Sequence, residues 1–324
     1  MFCRMGATPT RAKEDEYKME RGRQEGPSHP VQLFDPPFEV LEPKHLSAPI
    51  VYNSPHSGRI YPPEFLRRTK LDPLSLRRSE DCYVDELVEQ VVDLGLPLVR
   101  ANFPRAYLDV NREPYELDPL MFADPLPDYV NTGSARVAGG LGTIARVVSE
   151  AEEIYHEPLT FAEAETRILS LHVPYHRTLA NIFSAVRQQF GTALLIDCHS
   201  MPSIIAGPGS TESVARPDFV LGDRYGASCA GQIVDFFERL LQRLGYTVMR
   251  NKPYAGGFIT QSYGRPAESS HALQLEISRA LYLDEETLER HAGFDRLRDD
   301  LTTVAAELIA ALPDLIQPTR CAAE

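Results

Sequence analysis

One segment constrains the fold more than any other: Thr192-Ala-Leu-Leu-Ile-Asp197, a short apolar run between Gly191 and a polar Cys-His-Ser. A run of this length, bounded by a turn residue and polar side chains, reads as a buried strand. Similar strands are expected at Ala48–Asn53, Leu96–Arg100, Ala106–Val110, Phe219–Leu221, Thr247–Met249 and His271–Ile277. Helical spacing separates several of them. From Asp81 to Leu94, the residues Val84, Leu87, Val88, Val91 and Val92 fall on one face. Two helices fill 158–189 with a break near Pro174. An amphipathic helix covers 228–244, and a C-terminal helical region runs from Glu285 to Leu312. Strands alternating with helices make an α/β sheet covered on both faces, and ligands in such sheets lie beyond the carboxyl ends of strands. Residues 111–143, rich in Pro, Asp and Gly, have little periodicity; a loop that long inside a compact domain is a functional or mobile segment.

Composition bounds what this sheet can serve. With 324 residues, 43% of them hydrophobic, the chain can bury a large core, expected as a single domain over 31–318 behind a polar, disordered leader at 1–30. The net charge of -13 repels phosphate backbones and argues against nucleic acid as a partner. No apolar run is long enough to span a bilayer, and the N-terminus lacks the apolar stretch of a signal peptide. The five cysteines are odd in number, widely spaced and form no CxxC. That pattern argues against a disulfide framework or a cysteine-built zinc site and fits reduced thiols in a cytoplasm. An anionic substrate would need a local positive site in so acidic a chain.

Polar clusters gather at the expected strand ends. His56 lies in Pro-His-Ser-Gly after the strand 48–53, and His199 in Asp-Cys-His-Ser after 192–197. Catalytic zinc takes three protein ligands and a water, so two histidines and one carboxylate would complete a set; the alternative is a pair of hydrogen-bonded turn histidines. A His-x-x-Glu pattern would put an acid at 59, where Arg59 stands. The next carboxylates are Glu64, Asp72, Glu80 and Asp81, and Asp81 at a helix start also reads as an N-cap. Asn102-Phe-Pro-Arg-Ala-Tyr-Leu-Asp-Val-Asn-Arg112 concentrates Arg105, Asn111 and Arg112, suited to an anion or to surface ion pairs. In Gln274-Leu-Glu-Ile-Ser-Arg279, alternation puts Gln274, Glu276 and Ser278 on one face. A glutamate there is costly unless it is paired, as with Arg279, or works as a proton acceptor.

Taken in order, Asn53-Ser-Pro-His-Ser-Gly58, Asp81-Cys-Tyr-Val-Asp-Glu-Leu87, Arg105-Ala-Tyr-Leu-Asp-Val-Asn-Arg112, Pro174-Tyr-His-Arg-Thr-Leu179, Asp197-Cys-His-Ser-Met-Pro202, Gly257-Phe-Ile-Thr260 and Gln274–Arg279 resemble the N-formylglutamate amidohydrolase family. That family is similar in turn to aspartoacylases and zinc carboxypeptidases. The resemblance implies a phosphorylase/hydrolase-like α/β fold with a mixed central sheet, one zinc and a small anionic N-acyl amino acid as substrate. N-formyl-L-glutamate is the leading candidate; another N-acyl amino acid, a peptide, or a non-catalytic anion-binding role are the alternatives. It further implies zinc ligands His56, His199 and Asp81, with Glu80 as the fallback third ligand. Glu276 would be general base, Arg105 the carbonyl-polarising group, and Asn111 and Arg112 the holders of the α-carboxylate. His176, in the Pro-Tyr-His pattern, gains a pocket role by the same resemblance, against that of an ordinary packed or capping histidine.

Overall fold

A computed structural model describes residues 30–148, 152–206, 213–215 and 217–315. The leader expected over 1–30 lies outside the described residues except for Pro30, which opens a short helix, Pro30–Leu33.

The strands are β1 (Phe38–Leu41), β2 (Ile50–Ser54), β3 (Leu98–Ala101), β4 (Ala193–Met201), β5 (Ile204–Ala206), β6 (Ser213–Ala215), β7 (Phe219–Gly222), β8 (Val248–Arg250) and β9 (Ser270–Ser278). Seven of them form one sheet in the order β1-β3-β2-β4-β9-β7-β8, while β5 and β6 pair separately. The centre, β3-β2-β4-β9, is parallel; β1 against β3 and β7 against β9 are antiparallel. The sheet is therefore mixed, as expected.

The helices that cover it are α1 (Val84–Val88), α2 (Phe161–Arg167), α3 (Val173–Phe190), α4 (Gly231–Arg243), α5 (Phe258–Tyr263) and α6 (Gly293–Leu315). Side chains alternate along each strand, so β4 serves two cores. Leu194 and Ile196 pack with Val84, Phe237 and Leu301 of α1, α4 and α6. Ala193 and Leu195 pack with Tyr175, Leu179 and Phe183 of α3. Among the described residues, no helix is long and apolar enough to cross a membrane.

Four expectations are corrected. Residues 106–110 are not a strand: Tyr107 N–H donates to Pro104 O, and Asp109 N–H donates to Thr143 O, so local turns and the following loop take the place of a ladder. The chain does not break at Pro174. A π-helical turn, Ile168–His172, joins α2 to α3 without interruption, and Pro174 stands directly after that wider turn. The helix expected over 81–94 is only α1 followed by a 3-10 turn, Glu89–Val92. The C-terminal helix begins at Gly293, because the Asp284 side chain accepts from the N–H groups of Glu286 and Thr287 and holds 284–287 as a turn.

Candidate active site

The central strands run further than their apolar cores. Both β4 and β9 are nine residues long and buried throughout. They pair in parallel register, Asp197 opposite Gln274 and His199 opposite Glu276. His199 thus lies within its strand, not after it, and Glu276 lies within its strand as expected, both with backbones fixed by the sheet. Alternation turns Asp197, His199, Gln274 and Glu276 to the same face.

His56 reaches the same place from the turn after β2. The hydroxyls of Ser54 and Ser57 meet at 2.6 Å, and Ser57 Oγ also donates to the Asp81 carbonyl at 3.0 Å and accepts from Asp85 N–H at 3.1 Å. This turn passes so close to Phe103 that a Cβ at Gly58 would lie 2.1 Å from its carbonyl oxygen, so only glycine fits. Asp81 does not cap a helix; the residue preceding α1 is Tyr83, which has no side-chain cap.

These elements bring one ligand atom each of His56, Asp81 and His199 within 4.8 Å of one another, all three residues buried. Asp81 Oδ2 lies 3.3 Å from His56 Nδ1 and 3.0 Å from His199 Nδ1. The outer nitrogen of each imidazole is held by a second carboxylate: His56 Nε2 by Asp109 at 2.7 Å and His199 Nε2 by Asp197 at 2.9 Å. A ligating histidine is held in this way, its far nitrogen on an acid and its near nitrogen turned inward. His56 Nδ1 is buried without a hydrogen-bond partner, an orphan that a cation would satisfy. Burial opposes charge on His199, yet Asp197 and Asp81 hold its pKa well above the ordinary imidazole value. Burial likewise opposes ionisation of Asp81, but its hydrogen bond with His199 and the close approach of His56 keep it well below the usual carboxylate range. The site therefore favours positive charge, and its donor set fits zinc. Glu80 stays outside the group, 3.2 Å from Arg77 Nε. Arg59 turns away to Asp85 and Glu86.

Glu276 stands beside this cluster. Burial, with Asp81 adding to it, raises its pKa to about 7 against the opposing charges of His199 and Arg105. Gln274 fixes its carboxylate, donating to Oε1 at 2.7 Å while accepting from Gly257 N–H at 2.9 Å. The sequence alternative, a Glu276–Arg279 pair, is not formed. Arg279 instead donates to Ser200 Oγ and to the carbonyls of Arg78 and Glu80.

The irregular strip 105–112 supplies the cations. Arg105 donates to Asp109 Oδ2 at 2.7 Å. Arg112 donates to the carbonyls of Leu141 and Asn111, and its Nη2 lies 3.8 Å from Asp109. Burial depresses the Arg112 pKa; Asp109 opposes that, and Arg105 and Arg136 add to it. Asn111 is spent within the protein: its Oδ1 accepts from Ile259 N–H at 2.8 Å and its Nδ2 lies 3.1 Å from His199. A Cβ at Gly257 would strike that amide at 2.4 Å. His176 is committed as well, through Nε2 to Val110 O at 2.7 Å and Nδ1 to the Tyr263 hydroxyl at 3.1 Å.

Three participants escaped the sequence reading. Asp197 was findable, since an acid two residues before a strand histidine shares its face. Asp109 was not, because its contact with His56 spans 53 positions. His172, whose Nε2 donates to Arg112 O at 2.9 Å, depends on the π turn for its direction.

The arrangement, an inward-facing His-Asp-His group with a glutamate and two arginines, agrees with what the chain is similar to. The sequence model for N-formylglutamate amidohydrolase matches residues 48–283, which include every residue of the site. N-formylglutamate deformylase of Pseudomonas aeruginosa is 29% identical over 251 residues, 76% of this chain and 87% of that protein. The protein of that name from Pseudomonas putida is 29% identical over 240 residues, covering 73% and 82%. The crystal structure of N-formylglutamate amidohydrolase from Ralstonia eutropha JMP134 superposes with a TM-score of 0.79 at 38% identity, over 86% of this chain and 99% of that one. A structure from Agrobacterium tumefaciens, at 16% identity and TM-score 0.61, shares the fold. With its sequence matched from the first strand of the parallel centre to beyond the last, the chain belongs to the N-formylglutamate amidohydrolase family.

Proposed function

We propose that the protein is a zinc-dependent amidohydrolase that converts N-formyl-L-glutamate to formate and L-glutamate. The observation that carries this reading is the His56-Asp81-His199 group within 4.8 Å, with Glu276 in register beside His199. The names of the relatives supply the substrate. When bound, zinc provides a Lewis acid and acidifies water.

The chain's own residues divide the remaining work. Glu276, with its pKa lifted to about 7, can hold a proton taken from the attacking water and pass it to the departing amide nitrogen. Arg105 places a guanidinium where negative charge develops on the formyl oxygen, a role worth about 2.7–4 kcal/mol per donor in other enzymes. Arg112 takes the α-carboxylate. Asn111, whose amide oxygen is used internally, supports that clamp by tying the strip to α5. His176 supports it from behind by holding the Val110 carbonyl.

The test is elemental analysis of the purified protein together with formate release from N-formyl-L-glutamate. About one zinc per chain with stoichiometric formate and glutamate is expected. A metal-free protein as active as the metal-loaded one, or no formate release by the metal-loaded protein, would end the reading.

A further inference from the structure

The loop after the arginine-bearing strip carries a third guanidinium. Arg136 lies in the short helix Ala135–Ala138, its side chain about one third exposed at 36%. Leu141 joins it to Arg112: Leu141 N–H donates to the Arg136 carbonyl at 2.8 Å, and Leu141 O accepts from Arg112 Nε at 2.8 Å. Both arginines are thus built around one turn. Between them lies Glu116, 2% exposed, whose Oε1 accepts from Ser134 Oγ at 2.5 Å. Its Oε2 is buried without a hydrogen-bond partner, and Arg136 Nη1 stands 3.6 Å away, an ion pair not closed into a hydrogen bond. Asp109, Asp81 and Glu276 all engage Arg105, whereas the ion pair of Arg136 with Glu116 stays open, which leaves Arg136 the guanidinium with room for a further carboxylate.

The two free-ended guanidiniums differ in setting. Arg112 is 13% exposed and adjoins Asp109, which holds His56; Arg136 is further out and wetter. A substrate with an inner and an outer carboxylate matches this arrangement, and one with a single carboxylate leaves Arg136 unused. We propose that Arg136 is a specificity-determining residue that binds the side-chain carboxylate of an acidic N-acyl amino acid, while Arg112 holds its α-carboxylate. This rests on the amidohydrolase reading above and assigns the residue that selects for the second carboxylate of its substrate. Glu116 holds the Arg136 side chain beside the turn that binds Arg112 and yields it to the ligand, because their own contact is long.

The experiment compares zinc-loaded wild type with Arg136→Ala and Arg136→Glu on N-formyl-L-glutamate, its isosteric neutral partner N-formyl-L-glutamine, and N-formyl-L-lysine. Binding of the products L-glutamate and L-glutamine is measured in parallel by calorimetry. A charge-assisted contact of this kind sets a preference of about 10–100-fold. Wild type should prefer glutamate over glutamine by that ratio in kcat/KM, mainly through KM. R136A should bring the ratio close to one, and R136E should raise the lysine substrate above the glutamate one, a reversal that a merely structural role would not produce. Equal losses on all three substrates, or an unchanged glutamate-to-glutamine ratio, overturn the proposal. If wild type releases no formate yet binds L-glutamate over L-glutamine in an Arg136-dependent way, the deformylase reading fails and the carboxylate site stands. If it shows neither activity nor that preference, both fail.

Discussion

Replacing Asp109 with asparagine tests whether the carboxylates behind the histidines tune the site. Asp109 is buried, its Oδ1 accepting from His56 Nε2 at 2.7 Å and from Asn111 N–H at 2.8 Å, its Oδ2 from Arg105 at 2.7 Å. Burial opposes its charge, but Arg112, His56 and Arg105 hold its pKa well below the usual carboxylate range. An amide has one acceptor oxygen. In its best orientation Asp109→Asn keeps the His56 and Asn111 bonds and turns its NH2 toward Arg105. One charge-assisted bond is lost, about 1.5–3 kcal/mol of folding stability. His56 keeps its orientation but loses the charge that makes its Nδ1 a strong donor to metal, so zinc affinity should fall about 10–100-fold. Competition for zinc against a chromophoric chelator reads the affinity, and denaturant unfolding of the metal-free protein reads the stability. Loss of stability with zinc affinity within about twofold of wild type would refute the reasoning, because His56 Nδ1 would then not be a metal ligand.

Three further outcomes follow from the same geometry. Glu276→Gln should retain zinc and lower kcat by about 10²–10⁴-fold; a drop smaller than tenfold in steady-state turnover would remove Glu276 from proton transfer. Arg112→Lys keeps charge but loses the planar fork, so KM for an N-formyl amino acid should rise while the α-amide analogue is little affected. An undiminished preference for the acid over the amide would move the clamp to another arginine. Burial, with His176 adding to it, pushes the His172 pKa down to about 3, below the unfolded value of about 6.5. Stability is then full above the unfolded pKa and falls as pH drops from there toward the folded one, by about 1 kcal/mol between roughly pH 6.5 and 5.5. Because burial also lowers the His176 and His271 pKa values, urea unfolding at the two pH values should show a loss about 1 kcal/mol larger in wild type than in His172→Asn; equal losses in both would reject it.

The parallel centre of the sheet was legible because apolar runs such as 192–197 and 271–277 are strong local signals. Their true ends were not. Polar residues from Asp197 to Met201 continue the strand because β9 pairs with them at every position, a nonlocal fact. His56, Asp81 and His199 could be named from the motifs, and the structure brings them together. The segment 106–110 has a strand's alternation but lacks a strand neighbour, so composition misread it. For Asn111 and His176 the residue types were compatible with substrate contact, and only their partners, Ile259 N–H, Val110 O and Tyr263, show them engaged inside the protein. Arg136 drew no notice because nothing local distinguishes one loop arginine from another.

The π turn at Ile168–His172 makes the long helical segment behave as a keyed shaft. In an unbroken α-helix, residues at 167, 171 and 175 would share a face. The wider turn advances the phase by one residue, so Arg167, His172 and His176 line up instead. Each grips a carbonyl of the same irregular strip: Arg167 holds Tyr107 O at 3.2 Å, His176 holds Val110 O at 2.7 Å and His172 holds Arg112 O at 2.9 Å. The strip that carries Asp109 and Arg112 thus has the spacing of its anchors set by helix phase and not by a sheet ladder. Helix length there is accordingly a functional dimension. Adding a further residue within 168–172 would leave the hydrophobic core composition almost untouched, yet it would turn Arg167 by about 100° relative to the two histidines and release one end of the strip, whereas removing one would close the π turn into an ordinary α turn and keep the three side chains aligned.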